Sequence, residues 1–305
     1  MLQPADIDIP TKNIAVLPFK KDKKTGLAGH VETYLTKVYF NRHAYFNVVN
    51  HRDIKQILKE QKRQKNGLYN DSTIEVGELM GAGAIISGEI LAITQKDQHH
   101  KENRKKCEKK KCREYTVSCK QRKISVAANM RITDLTFGKI FYSNSPLYSI
   151  SRKHCTDDNV ILPTKENAAP SIAKNIAEDF VKKLSPHYIS SSVTLLDSED
   201  IDYTDREEDL LKHGLKYLQQ NRLDKAEQLL SKLLASTHSK SYVAAYNLGV
   251  IKESQGQLQA AKKYYTLADA LQIEPVEAIN KAVMRIRTSL YKRKSAIKQV
   301  NRHTK

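Results

Sequence analysis

Cys107, Cys112, Cys119 and Cys155 are the side chains in this sequence best placed to do chemistry. Three states compete for them: paired disulfides, a four-thiolate zinc site, or free thiols. The C-x4-C-x6-C run is not a standard zinc spacing. Four cysteines allow three disulfide connectivities. One is preferred, because two alternating stretches flank a turn at Thr136, Phe137 and Gly138. Antiparallel partners across a turn centred near Phe137 carry residue numbers that sum to about 274, as Cys119 and Cys155 do. Cys107 with Cys112 then closes the segment between them, which reads as a basic, cysteine-containing hairpin loop over residues 96–123. Such bridges require an oxidising compartment.

The remaining candidates are weaker. His99 and His100 adjoin the basic segment and could join an anion- or metal-binding surface, but without nearby acids they read as exposed. His154 precedes Cys155, yet neighbours on a strand point to opposite faces and cannot act as a base–nucleophile pair. Gly81, Ala82 and Gly83 lack the spacing of a phosphate cradle, so they read as small residues for close helix–sheet approach. Asp134 and Glu178 stand apart from any acid–base partner. We therefore expect no catalytic residue, no cofactor and no metal, and a chain that is not an enzyme.

The elements that must position these residues are legible as hydrophobic periods. IAVLPF (residues 14–19), FNVVN (46–50) and GAIISGEILAI (83–93) read as strands, rich in β-branched residues. Helical spacing fills residues 29–40, 52–61 and 74–80. RKISVAANMRITD (122–134) alternates Ile124, Val126, Ala128, Met130 and Ile132 on one face, and residues 139–151 form its hairpin partner. Residues 167–184 repeat Ile172, Ile176, Phe180 and Leu184 every four positions, an amphipathic helix ended by Pro186. The expected fold is α+β: an N-terminal mixed β-sheet flanked by helices over 1–188. Residues 189–206 read as a serine- and acid-rich linker carrying a short strand at VTLL.

From Asp209 the period changes and a repeat appears. LLKHGLKYLQQNRLDKAEQLL (210–230) aligns with AAYNLGVIKESQGQLQAAKKYY (244–265). Gly214 answers to Gly249 and Ala226 to Ala261, both at an offset of 35 residues. These units resemble tetratricopeptide repeats, with Gly214, Tyr217, Ala226, Gly249 and Ala261 at packing positions and the pair spanning 207–274. The early Trp is missing, and Lys252 stands where Tyr217 has an aromatic ring. Ala278, Val283, Ile286 and Leu290 mark a closing helix within 275–305, followed by a basic tail.

The formal charge is +18 over 305 residues, and its location matters more than its size. From Lys96 to Lys123 the net charge is +8, and from Lys281 to Lys305 it is +9. Two basic appendages on a nearly neutral remainder either stay solvated or seek a polyanion such as phospholipid, lipopolysaccharide or an acidic protein. Nucleic acid fits least, because Tyr115 and Tyr291 are the only aromatics in the two runs and offer few stacking surfaces. No run of 18 apolar residues is present.

IAVLPF, FNVVNHR (46–52), ELMGAGAIISGE (78–89) and the hairpin around Phe137, taken in order, resemble the CsgG-like family. The likeness covers roughly residues 5–188. Members are envelope proteins of diderm bacteria, among them the curli secretion channel subunit and periplasmic lipoproteins, and they often carry tetratricopeptide repeats after this domain. The resemblance implies a periplasmic or outer-membrane setting and a non-catalytic assembly or secretion role. Binding of other envelope proteins through the repeats is expected, with the sheet packing on a neighbour or forming a homo-oligomer. No signal peptide or lipobox cysteine occurs in the sequence as given, so a genuine start at Met1 would instead imply the cytoplasm and an adaptor binding nucleic acid or another polyanion. The family's pore-forming version needs two membrane-spanning hairpins per subunit. The stretch HHKENRKKCEKKKC would place many charges in hydrocarbon, so a pore is not expected.

Overall fold

β-Branched runs become strands and apolar stripes become helices in the computed structural model, which describes residues 1–49, 81–108, 111–137 and 139–302. Two compact units emerge: Ala5–Ser185, and Met1–Pro4 together with Pro186–Arg302. In chain order the strands are β1 (Leu2–Gln3), β2 (Asn13–Val16), β3 (Tyr39–Phe40), β4 (His43–Ala44), β5 (Asn47–Val49), β6 (Ala84–Glu108), β7 (Lys111–Asp134), β8 (Lys139–Asn144), β9 (Leu147–Cys155) and β10 (His187–Tyr188). The helices are α1 (Leu27–Thr36), α2 (Lys165–Leu184), α3 (Asp205–Gln219), α4 (Leu223–Ser236), α5 (Tyr242–Ser254), α6 (Leu258–Leu271) and α7 (Glu277–Asn301). The helices expected at 52–61 and 74–80 lie outside the described residues.

The first unit is a mixed sheet ordered β5-β2-β6-β7-β8, with β9 continuing along the same edge of β7 as β8. β2 runs parallel to both β5 and β6, and β6–β7 is an antiparallel hairpin. On β7, Ile124, Val126, Ala128, Met130 and Ile132 are fully buried on one face, the outcome of strict alternation. α2 packs there, burying Ile172, Ile176, Phe180 and Leu184, and Tyr148 on β9 donates a hydrogen bond to Asp179 at 2.5 Å. Asp22 caps α1 by accepting from the backbone N–H of Leu27 and Ala28 at 2.7 and 2.9 Å. Ala15, Ile85 and Leu135, of opposite parity to Ile14 and Ile86, form a smaller core with Leu17 and Val49.

Three sequence expectations are corrected here. The first strand ends at Val16, not Phe19: Pro18 has no N–H to give to a ladder, and pairing with β6 resumes only at the Lys20–Glu89 bridge. The first helix ends at Thr36, and Tyr39–Phe40 pairs with His43–Ala44 as a small hairpin. The basic segment between Lys96 and Lys123 is not a loop: β6 and β7 stay paired from Ala84 and Asp134 out to Glu108 and Lys111.

In the second unit β1 pairs with β10, and five helices follow in succession. α3 packs on α4, α4 on α5, α5 on α6 and α6 on α7. VTLL forms no strand; residues 193–196 lie extended with no ladder partner. The closing helix runs to Asn301, so most of the basic tail is helical.

Candidate functional site

Two places gather the residues singled out by the sequence. The first is the distal hairpin. β7 pairs with β8 and β9 in one register: Met130 faces Asn144, Ile124 faces Ile150 and Cys119 faces Cys155. Each of these pairs of numbers sums to 274, and that register holds from Ile132–Tyr142 outward; beside the turn a bulge shifts it by one, so Thr133 faces Ile140 and Asp134 faces Lys139. Cys119 and Cys155 are joined by a disulfide, as are Cys107 and Cys112, which also lie directly opposite on β6 and β7. The Cys119–Cys155 bridge is buried with Val117 under Tyr115.

Charge supplies the rest of the hairpin's cross-ties. Asp97 accepts from Arg122 through Nε and Nη2, both at 2.8 Å, and Lys120 Nζ lies 2.9 Å away. These hydrogen bonds, Arg122 first and then Lys120, hold the Asp97 carboxyl well below the usual carboxylate range. Glu102 is reached by Lys153 of β9 at 2.7 Å and by His100 at 3.0 Å. The hydrogen bond from Lys153, then that from His100, lowers its pKa to about 2. Arg104 and Tyr115 both donate to Asp157, at 2.8 and 3.0 Å. His100 thus has an acidic partner that the sequence order concealed, because alternate residues share one face of a strand. His154 Nδ1 lies 3.0 Å from Asp158 rather than pairing with Cys155.

Among the described residues, two clusters could hold a cation by geometry: His100, Glu102 and Cys119, and Cys155, Asp157 and Asp158. Each includes a sulfur already spent in the Cys119–Cys155 bridge, so neither offers a thiolate. Asp134 is used locally, accepting the backbone N–H of Thr136 at 2.7 Å in the turn. Glu178 accepts from Tyr34 at 3.3 Å and pairs with Lys182. Gly83 is tight, since a Cβ there would stand 2.5 Å from Thr11 Oγ1.

The second place is the helical unit. A Cβ on Gly214 would stand 3.0 Å from Leu230, and one on Gly249 would stand 2.5 Å from the Tyr265 ring. Leu230 and Tyr265 are themselves 35 residues apart, so the same contact recurs in both helix pairs. Ala226 and Ala261 are both fully buried. The connecting turns match too: Asn221 and Gly256 adopt φ values of 60° and 74°. Arg222 N–H donates to Tyr217 O, and Gln257 N–H to Lys252 O, each at 2.9 Å. The repeat seen in the sequence is therefore a repeat in space.

Tyr217 departs from its expected packing role. It is 36% exposed, and among the described residues no helix of its unit precedes α3. Lys252, in the position of a missing aromatic, reaches back from α5 to Glu227 on α4 at 2.5 Å. α7 is fastened by Arg285, which donates Nε and Nη2 to Glu253 at 3.0 and 2.8 Å, while Tyr265 donates to the same carboxylate at 2.6 Å. Burial, and then the hydrogen bond to Glu253, pushes the Tyr265 hydroxyl far above its ordinary value.

Sequence reasoning missed the segment that covers α5. Asn247 is completely buried, donates to Leu196 O at 2.7 Å and accepts from Leu196 N–H at 3.3 Å. Tyr246 donates to Thr194 O at 2.7 Å. A polar Asn in the middle of the apolar run VAAYNLGVI was the available signal.

No family model matches the sequence, and no curated protein matches it. Among solved structures, the chain is similar to a dodecamer of a PelC variant from Paraburkholderia phytofirmans at 10% identity and a TM-score of 0.26, over 58% of this chain and 95% of that one. It is similar to lipoprotein GNA1162 from Neisseria meningitidis at 13% identity and a TM-score of 0.25, over 56% and 95%. A third likeness, to the hypothetical protein CT253 from Chlamydia trachomatis, has 11% identity and a TM-score of 0.23, over 46% and 73%. Scores of this size leave function to the chain's own geometry.

Proposed function

We propose that this chain is a non-enzymatic accessory protein of the bacterial cell envelope that docks partner proteins through its helix pairs, read as tetratricopeptide repeats. The observation that carries the docking role is the 35-residue offset shared by the Gly214–Leu230 and Gly249–Tyr265 contacts, which is the build of a stacked repeat array. Such arrays present continuous helix faces to a ligand rather than an enclosed reaction centre. The envelope setting is supported by two disulfides across one hairpin, since bridges of that kind persist where thiols are kept oxidised. The sequence likeness to the CsgG-like family points the same way.

The chain is not itself a pore in this reading. Along the distal hairpin, Lys96, His100 and Arg104 share one face of β6 while Asp97, Lys101 and Lys105 share the other, so neither face is apolar. The cations of this hairpin and of α7 would rest against anionic lipid or lipopolysaccharide, each contributing about 1 kcal/mol near such a surface. Two measurements test the proposal. Thiol labelling in fractionated cells should find the cysteines unreactive and the protein in the envelope fraction. Photo-crosslinkers at exposed Lys212, Lys216 and Gln219 should trap a discrete partner protein. Reactive thiols in the cytosol, or crosslinks that form only from the sheet unit, would overturn it.

A further inference from the structure

Helix α5 is enclosed on every side: each residue from Val243 to Ile251 is buried. Its counterpart α3 buries only Leu211 and Gly214. Part of the difference is the segment of residues 193–199, which has no helix or ladder bonds of its own, contacts α5 through Thr194, Leu196 and Glu199, and is held largely by main-chain recognition. The Asn247 amide reads both the N–H and the C=O of Leu196, and Tyr246 reads the C=O of Thr194. Val193, Leu195 and Leu196 are only half-buried against the helical core. At the far end Glu199 latches the start of α5, accepting from the backbone N–H of Tyr242 at 2.8 Å and of Val243 at 3.3 Å, with Ser241 and Tyr203 as further donors.

We infer that the α5 face is a binding site for an extended peptide and that residues 193–199 occupy it as a displaceable strap. The inference rests on the docking function proposed above and adds its regulation and its ligand class. Contacts to main-chain atoms can be reproduced by any extended chain, so an incoming segment can replace the strap bond for bond. Simple opening is disfavoured, because the Asn247 amide loses both of its bonds to Leu196 and keeps only the one it donates to Val243 O at 3.0 Å. Exchange restores both. Side-chain preference then comes from two adjacent apolar residues followed, three positions on, by an acid that takes over the Glu199 latch. The strap has an open side: a cavity of about 760 Å³ lies between it and α3, where Leu211 and Leu215 give an apolar floor and Lys212 and Lys216 face the acids Asp197, Glu199 and Glu208. The partner is thus a protein presenting an extended apolar–apolar–x–x–acidic segment, and the tethered strap sets a threshold that it must overcome.

The test uses the full chain and a fluorescein-labelled peptide of residues 192–202, SVTLLDSEDID. Fluorescence polarisation should show weak binding to the wild type. The Leu195→Ala/Leu196→Ala variant, which weakens the strap and leaves the site intact, should bind about tenfold tighter because more of it is open. Adding Asn247→Ala to that variant should cancel the gain. Glu199→Ala gives an independent route, checked by circular dichroism and by peptide-dependent protection of the Tyr242 and Val243 amides from hydrogen exchange. Folded strap variants with no gain in affinity overturn the inference. If the crosslinked partner still binds in that case, the docking function stands and only the strap falls; if neither binds, both fall.

Discussion

The distal hairpin and the helical repeat solve the same problem in opposite ways. Beyond Ile93 the hairpin has little apolar surface to bury, so it is held by two disulfides and by carboxylates ringed with cations. The helical unit carries no disulfide and packs fully buried small and aromatic side chains, with polar groups such as Glu253 enclosed among them. A strand region rich in charge keeps its register through covalent and ionic cross-ties, whereas a repeat array keeps its register through volume. The two should therefore answer differently to chemistry and to shape.

The largest expected effect separates them by redox state. Replacing both Cys119 and Cys155 by Ser should destabilise the sheet unit by about 4 kcal/mol, the chain-entropy worth of a bridge whose ends are 36 residues apart. Hydrogen exchange followed by mass spectrometry should show the loss across β7 and β9 while α3–α7 keep their protection. Equal loosening of the helices would break the contrast. Next comes shape within the repeat. Gly249→Ala should cost about 2 kcal/mol, since its methyl would press into the Tyr265 ring against a buried wall. Gly214→Ala, facing the more yielding Leu230, should cost less than half of that in the same denaturant titration. Equal costs would show that the two pairs do not differ in tightness.

A smaller change is expected from Glu253→Gln, about 1.5 kcal/mol, because Arg285 and Tyr265 lose a charged acceptor in a nearly enclosed place. Urea midpoints of the variant and the wild type measure it, and an unchanged midpoint would remove that carboxylate from the account. The smallest effect is in pH. Glu102 has its folded pKa lowered to about 2, below its ordinary value, so its contribution is present above the unfolded pKa and fades as pH falls through the folded one. An NMR titration should place its midpoint near 2, and Lys153→Ala should move that midpoint up. A midpoint that ignores Lys153 would sever β9 from the ionic cross-ties.

Much of this was legible in the residues and some was not. The register of β7 against β9 follows from alternation and one turn, and the meeting of Cys119 with Cys155 follows from the register; the bulge between Ile132 and Thr133 was not legible. The 35-residue offset was equally plain, because Gly and Ala recur where two helices must touch. The ladder through the basic segment was hidden, since its composition is that of a solvated loop and cross-strand partners such as Arg122 and Lys153 help neutralise its acids. Tyr217 misled for the opposite reason: the motif position is right, but among the described residues no helix of its unit precedes α3.

Local order alone thus determined where the strands alternate, where the turn centres and where the repeat recurs, because those depend on period and spacing along the chain. Tertiary structure alone decided that Glu102 finds Lys153, that Arg104 finds Asp157 and that Asn247 finds the backbone of Leu196. Those pairings join residues that no hydrophobic period connects, and burial leaves each polar group only the partners that the fold delivers.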